Sequence, residues 1–139
     1  MGLRKTNTAK SLKVVYNASV KDKIDFIKGG ASKNDLIKIK DQLDVDYDRL
    51  SQILSVSRAK LLSKKPKEKF DQTTSERIML VSDVVGFGEH VFEDKGNFRD
   101  WLKRENKALG NKSPIEMMDT VYGIQEVKNE IGRIESGVY

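Results

Sequence analysis

The stretch NKALGNKSPIEMMDT, residues 106–120, places a helix stop directly before a helix start. Gly110 is the residue type that most readily adopts the left-handed conformation in which helices end. Ser113 can cap the next helix, Pro114 suits its first position because an amide there needs no partner, and Glu116 completes an S-x-x-E capping box. The segment therefore predicts a sharp corner between two helices.

Both sides of this corner are predicted to be helical. We expect Asn97 to cap a helix that ends at Gly110, with Trp101 as a core anchor because aromatic rings bury a large apolar area. After the corner, Asp119 or Thr120 caps a final helix whose apolar residues recur at intervals of three and four. These residues are Val121, Ile124, Val127, Ile131 and Ile134, with Val138 one step further.

A longer helix is predicted upstream, beginning at the T-x-x-E capping box of Thr73 and Glu76. Gly86 and Gly88 would each weaken its interior by about 1 kcal/mol relative to alanine, so we expect them to permit a close helix contact. Its apolar residues describe a wide buried face. They are Ile78, Leu80, Val81, Val84, Val85, Phe87 and Val91.

Two further helices are predicted between residues 20 and 43. The first ends at the Gly29–Gly30 pair, and the second begins at Ser32, an N-cap residue type, and runs to about Leu43. Their apolar residues lie at helical spacing. These are Val20, Ile24 and Ile27 in the first helix and Leu36, Ile39 and Leu43 in the second.

The stretch DYDRLSQILSVSRAKLLSKK, residues 46–65, predicts two short helices across a tight turn at Ser55 and Val56. It resembles the Cro/C1-type repressor family, in which LxQxLxVS is a common core of the helix-turn-helix. In that motif the second helix enters the major groove N-terminus first. The candidate base contacts are Ser57, Arg58 and Lys60, and the candidate phosphate contacts are Lys64 and Lys65. The alternative is a helical hairpin that only packs.

Charge is divided unevenly along the chain. Residues 1–70 carry a net charge of +9, residues 71–139 carry −4, and the bases up to Lys21 have no acid among them. This basic N-terminal arm could follow phosphates, or it could be a solvated tail. The predicted organisation is a basic arm at 1–19, a helix-turn-helix domain at 20–70 and a helical domain at 71–139, with the break around Pro66. The fold class is all-α.

Composition excludes several classes of function. The chain has no cysteine and one histidine, His90, and the sequence offers no second metal ligand at suitable spacing from it. No apolar run approaches the length of a membrane span and no signal peptide is evident, so we expect a cytoplasmic protein. Without a catalytic constellation or a phosphate-binding glycine loop, we expect neither an enzyme nor a bound cofactor or metal.

The segment FRDWLKRENKALGNKSPIEMMDTVYGIQEVKNEIGRIESGVY, residues 98–139, resembles the toxin-binding domain of the Xre/MbcA/ParS antitoxins. The family pattern contains WL, NxALGGxxPLELLDT and GxxxVxxxLGRIEHGVY, and SER at 75–77 resembles its link to the helix-turn-helix. Asn111 replaces the second glycine of that pattern, and Ser136 replaces its histidine or tyrosine. The resemblance spans nearly the whole chain and is weakest before residue 30.

The resemblance implies an antitoxin with two roles. Its C-terminal domain would bind a RES, MbcT or ParT-like toxin that uses NAD, and its N-terminal domain would bind operator DNA as a homodimer and repress the operon. The toxin-blocking end maps onto Arg133, Glu135, Gly137, Val138 and Tyr139. The apolar Ile134, Val138 and Tyr139 fit a partner groove, because leaving them on a frayed end would waste burial. Two separate alternatives are open: Val138 and Tyr139 fold back on their own domain, or the chain is a transcriptional regulator without a toxin.

Overall fold

The computed structural model describes residues 18–137. Across this range the chain forms eight α-helices, which confirms the all-α class. They are α1 (Val20–Gly29), α2 (Lys33–Leu43), α3 (Tyr47–Leu54), α4 (Arg58–Ser63), α5 (Gln72–Phe92), α6 (Lys95–Lys103), α7 (Pro114–Met117) and α8 (Val121–Ser136), with a 3-10 turn at Lys107–Leu109. The predicted basic arm lies largely outside the described residues.

Helix α5 is the central element of the fold. Helices α1, α2, α3, α6 and α8 all pack against it. Its buried side chains, including Ile78, Val81 and Val84, belong to one continuous apolar cluster that extends from Phe26 in α1 to Ile131 in α8. The two halves of the chain therefore share a core through α5, and the domain division after residue 70 stays a prediction.

Local capping chemistry places most of the helix ends where the sequence predicts them. The hydroxyls of Ser32, Ser57 and Ser113 each accept a hydrogen bond from the main-chain amide three residues later. Ser32 and Ser113 complete capping boxes with Asp35 and Glu116. The predicted starts of α2, α4 and α7 are thus confirmed, and each of these contacts satisfies amides that have no partner within the helix.

Two predicted helix starts are wrong. Helix α5 begins at Gln72 because Asp71 Oδ1 accepts from the amide of Thr74 at 3.3 Å, so the expected T-x-x-E box at Thr73 lies inside the helix. Helix α6 begins before Asn97, because Asp94 Oδ1 accepts from the Asn97 amide at 2.9 Å. In both cases an aspartate two or three residues upstream caps the helix first.

The predicted helix end at Gly110 is also displaced. Helix α6 ends at Lys103, and a separate 3-10 turn reaches Gly110. Asn106 causes the break, because its side-chain oxygen accepts from the Ala108 amide at 2.9 Å and its own amide donates to the Lys112 carbonyl at 3.0 Å. Such side-chain bonds compete with helical ones.

Several apolar positions face differently from the prediction. In α1, Val20 and Ile24 are 74% and 44% exposed, whereas Phe26 is buried. The helix meets α5 through the adjacent face, where Lys23 Nζ lies 2.9 Å from Asp83 Oδ1. Val121, the first residue of α8, is also exposed.

The aromatic cluster around α6 agrees with the predicted close contact. The ring of Trp101 is half-buried, with its centroid 5.4 Å from that of Phe92 and 6.3 Å from that of Phe98. A Cβ at Gly88 would lie 2.1 Å from Phe98 Cε1, so α5 and α6 approach at this glycine. Within residues 18–137, no helix has the length and apolarity needed to cross a membrane.

Candidate functional site

The α3–α4 pair forms the tight turn that the sequence predicts. Ser55 adopts a left-handed conformation with φ 57°, and its amide donates to the Gln52 carbonyl at 3.3 Å. The following amide, of Val56, donates to the Ser51 carbonyl at 3.1 Å. A serine thus occupies the backbone conformation that glycine adopts most readily, and the turn closes without a glycine.

The first turn of α4 gathers three of the five predicted DNA-binding residues on an exposed helix end. Ser57 caps the helix, Arg58 Nη1 lies 3.1 Å from Asp48 Oδ1, and Lys60 Nζ lies 3.6 Å from Asp71 Oδ1. Both ion pairs are solvent-exposed. Such pairs contribute little to stability, so their cations can exchange a carboxylate for another anion.

The other two predicted phosphate contacts follow α4. Lys64 is turned toward its own chain: its Nζ donates to the Lys69 carbonyl at 3.0 Å and lies 5.5 Å from the centre of the Phe70 ring. Lys65 is exposed, and its main-chain amide donates to Glu68 Oε1 at 2.6 Å. Of the two side chains, Lys65 is therefore the one presented to solvent.

Sequence reasoning missed a lysine that holds the end of α4. Lys33 is only 8% exposed, and its Nζ donates to the carbonyls of Leu62 at 3.3 Å and Lys64 at 3.1 Å. Its amide donates to the Glu68 carbonyl at 3.2 Å. A cation at a helix C-terminus interacts favourably with the helix dipole. The one sequence signal was a lysine in the first turn of α2, where acids are favoured.

Two arginines of the C-terminal half were missed in the same way. Arg77 donates from Nε to the Ile53 carbonyl at 3.0 Å and from Nη2 to the Asp119 carbonyl at 2.7 Å. Arg99 donates to the carbonyls at the end of α2, at 3.2 Å and 2.9 Å. Arg77 ends the SER segment at 75–77. In that segment Ser75 is fully buried, accepting from the Ala31 amide at 2.8 Å.

The corner at residues 106–120 is built as a compact unit. Gly110 and Asn111 both have left-handed φ values, 70° and 65°, so the asparagine adopts the conformation that a glycine would. Thr120, one of the two predicted caps, accepts from the Gly123 amide at 2.9 Å. A Cβ at Gly123 would lie 1.6 Å from the Met117 carbonyl oxygen. This contact requires a glycine in the first turn of α8.

Hydrogen bonding at the corner also affects its capping carboxylate. The Ser113 main-chain amide donates to Glu116 Oε1 at 3.2 Å, and the Ser113 hydroxyl lies 2.9 Å from the same oxygen. These bonds, the amide first, lower the pKa of Glu116 below its usual range. The carboxylate therefore stays charged at neutral pH and holds the start of α7.

The predicted toxin-binding residues follow the last turns of α8. Arg133 Nη1 lies 2.5 Å from Oε1 of the buried Glu130, while Ile134 is half-buried and Glu135 is exposed. Gly137 ends the helix with φ 70°. Val138 and Tyr139 lie outside the described residues. The structure thus places four of the six predicted residues on one helix end.

An open groove of about 530 Å³ borders this end, between α5 and α8. Lys128 and Arg133 supply its positive charge, and Gly132 and Phe87 line it side by side. In residues 18–137, no group of three or more His, Cys, Asp or Glu residues could hold a metal ion. The chemistry that these side chains offer is recognition by charge, hydrogen bonds and apolar contact.

Comparison with protein families agrees with this geometry. A family model described as the antitoxin Xre/MbcA/ParS C-terminal toxin-binding domain matches residues 88–137. This match and the curated relatives below support an antitoxin of the Xre/MbcA/ParS type. The match runs from the end of α5 through the corner to the end of α8, so the matched region contains both the compact corner and the Arg133 helix end.

Curated relatives of the chain extend the similarity upstream. The "Prs ADP-ribosylating antitoxin" of Sphingobium sp. (strain YBL2) is 28% identical, with 91% of this chain and 86% of the relative covered. "Antitoxin Xre" of Photorhabdus laumondii is 38% identical over 52% of this chain, and that of Yersinia enterocolitica is 36% identical over 51%. The matches to these two cover 49% of each relative, about half its length.

Proposed function

We propose that this antitoxin blocks an NAD-consuming toxin of the RES/ParT kind through the end of α8 and represses its own operon through α3 and α4. The observation that supports toxin binding is the family match over residues 88–137, which includes α8 and its Arg133 end. The name of the Sphingobium relative links that protein to ADP-ribosylation, a reaction for which NAD is the donor. This supports a toxin partner with an NAD-binding cleft.

The chemistry of the α8 end suits such a cleft. Arg133 is held by Glu130 yet its side chain remains 44% exposed, so the guanidinium can also engage an anionic or carboxylate-lined site bidentately. Ile134 and Glu135 follow it on the same helix end. By resemblance to the family, Gly137, Val138 and Tyr139 would continue into the toxin and fill its cleft. In this proposal the antitoxin acts by binding, and catalysis belongs to its partner.

The proposal of DNA binding rests on the exposed start of α4. Ser57, Arg58 and Lys60 project from the helix end that enters the major groove in helix-turn-helix proteins, and Lys65 lies exposed just after the helix. These residues form a basic edge within the half of the chain, residues 1–70, that carries a net charge of +9, and Lys64 could join them if it left its contacts with Lys69 and Phe70. Two half-sites read by a homodimer would multiply the affinity, so we propose a dimer in the cytoplasm.

Co-expression with the adjacent reading frame tests the proposed binding of a toxin. We expect a stable complex whose purified partner depletes NAD only after the antitoxin is removed. Arg133→Ala should weaken the complex, whereas Arg104→Ala, which removes another exposed arginine from the same domain, should not. A partner that remains fully inhibited by a chain lacking residues 133–139 would refute the assignment of the α8 end.

Titration of the promoter fragment with the protein tests the proposed DNA binding. Arg58→Ala should weaken binding by about 1 to 3 kcal/mol if the arginine reads a base edge, and Arg104→Ala again serves as the control. Equal affinities at matched salt would remove Arg58 from the contact surface. Promoter binding without any toxic partner would instead support the second candidate, a helix-turn-helix regulator that lacks a toxin.

A further inference from the structure

Carbonyls at the ends of α2, α3 and α4 accept hydrogen bonds from cationic side chains. Carbonyls in the final turn of a helix have no partner within it and need donors from elsewhere. Here cationic side chains supply some of them: Arg99 for α2, Arg77 for α3 and Lys33 for α4. Two of these three cations come from the half of the chain that follows residue 70. Of the two helices of the predicted helix-turn-helix, α3 therefore receives a donor from the C-terminal half, whereas the donor for α4 comes from α2.

Arg77 differs from the other two because it joins two functional regions. One acceptor, the Ile53 carbonyl, lies two residues before the left-handed Ser55 in the α3–α4 turn. The other, the Asp119 carbonyl, directly precedes Thr120, which caps α8. A guanidinium presents its donors in a rigid planar fork. Bonds from Nε and Nη2 therefore fix the distance and angle between the DNA-side turn and the start of α8.

We propose that Arg77 is a positioning residue for operator recognition, through which the toxin-binding half sets the direction of α4. This inference rests on the proposed DNA-binding function. Base-reading side chains must be held within about 0.5 Å of their productive geometry. A shift of the turn at Ser55 would move Arg58, the first residue of α4, three residues later. Contacts to phosphates carry no sequence information and tolerate such shifts better. Loss of the bridge should therefore reduce specific binding more than non-specific binding.

Arg99 provides a matched control within the same chain. Like Arg77, it donates from Nε and Nη2 to main-chain carbonyls at a helix C-terminus. Its acceptors belong to Asp41 and Gln42 in α2, a helix that is followed by α3 and not by α4. Arg77→Met and Arg99→Met thus remove the same number and kind of hydrogen bonds, but only the first releases the α3–α4 turn.

The experiment measures binding of the full-length chain to its promoter fragment and to an unrelated duplex of equal length. Measurements are made at a temperature where circular dichroism shows each variant to be folded. We expect Arg77→Met to lose about tenfold in promoter affinity, the effect of one charge-assisted hydrogen bond. Its affinity for the unrelated duplex and its salt dependence should be unchanged. Arg99→Met should stay within about twofold of the wild type, inside ordinary mutational additivity error.

Each other outcome bears on the proposal. A folded Arg77→Met variant with wild-type promoter affinity would overturn it, and so would equal losses in both variants, which would indicate general loosening. If Arg77→Met does not fold, Arg77→Lys decides: its single ammonium cannot reproduce the planar two-point bridge, so faster amide exchange at Val56 and an intermediate affinity are expected. Unchanged exchange and affinity would overturn the proposal. A wild-type chain that does not bind its promoter would remove the DNA-binding function itself, whereas wild-type binding with unaffected variants removes only the role of Arg77.

Discussion

The sharpest test of the corner at residues 106–120 is Gly123→Ala. The added Cβ would lie 1.6 Å from the Met117 carbonyl oxygen and 2.8 Å from its carbon. These are backbone atoms, and Met117 is the last residue of the capped α7 and is followed by the fully buried Met118. Because no side-chain rotation relieves the overlap, the first turn of α8 must move away from α7.

The expected cost combines three terms. Overpacking of a well-packed site costs about 1 to 3 kcal/mol. Movement of the turn also weakens the hydrogen bond from the Gly123 amide to Thr120 Oγ1, now 2.9 Å long, and loss of such a cap costs about 1 kcal/mol. Alanine returns about 1 kcal/mol through its helix propensity. The net loss is therefore about 1 to 3 kcal/mol in the free energy of unfolding, which thermal and urea denaturation both resolve.

Gly132 in the same helix supplies the control. A Cβ there meets only Phe87 Cε2, at the ordinary contact distance of 3.9 Å. Gly132→Ala should thus gain about 0.5 to 1 kcal/mol from helix propensity alone. The two substitutions are chemically identical and are expected to change stability in opposite directions. Gly123→Ala with wild-type or higher stability would show that the corner is not built as described.

Three further changes probe other contacts. Gly88→Ala puts a Cβ 2.1 Å from Cε1 of the fully buried Phe98 ring. It should lower the free energy of unfolding by about 1 to 3 kcal/mol, measured by urea denaturation. An unchanged urea midpoint would contradict the close contact. Lys33→Met leaves two carbonyls at the end of α4 without their donor and should cost about 1 to 3 kcal/mol, measured by thermal unfolding, with Lys33→Arg as the charge-preserving comparison. The pKa of Asp71 is lowered by its hydrogen bond with Thr74, so its contribution to stability is complete above the unfolded-state pKa and is lost as the pH falls through the lower folded-state value. Asp71→Asn keeps the cap but cannot titrate, and should flatten the loss of stability below about pH 4; an equally steep profile would exclude this carboxylate.

Helix ends were predictable where a single cap was available and uncertain where two competed. Ser32, Ser57 and Ser113 each bond an amide three residues away, so the signal lies wholly in local sequence. At the start of α5, Asp71 and Thr73 both offer a suitable oxygen. Starting at Asp71 brings Thr74 into a buried turn, and this gain from packing is invisible in the local pattern.

The contacts that join the two halves could not be predicted for a different physical reason. Arg77 and Arg99 both donate to main-chain carbonyls of the N-terminal half, and Lys33 does the same within that half. Every residue carries a carbonyl, so no side chain in the sequence marks the acceptor. The prediction for α1 failed for another reason. Val20 and Ile24 have the spacing of a buried stripe, but this spacing does not say which face of the helix packs, and both residues are exposed.

The use of main-chain acceptors also determines which changes the bridge between the halves can tolerate. Substitutions at Ile53 or Asp119 leave both carbonyls in place, provided that the helix ends persist. Replacement of Arg77 removes both bonds at once, and lysine has one ammonium where arginine has a planar fork with several donors. The requirement for the bridge is therefore concentrated in one side chain on α5. Because α5 also carries the core shared by both halves, substitutions inside α5 should disturb the proposed DNA binding and the proposed toxin binding together. Exposed changes such as Arg58→Ala or Arg133→Ala should affect one without the other.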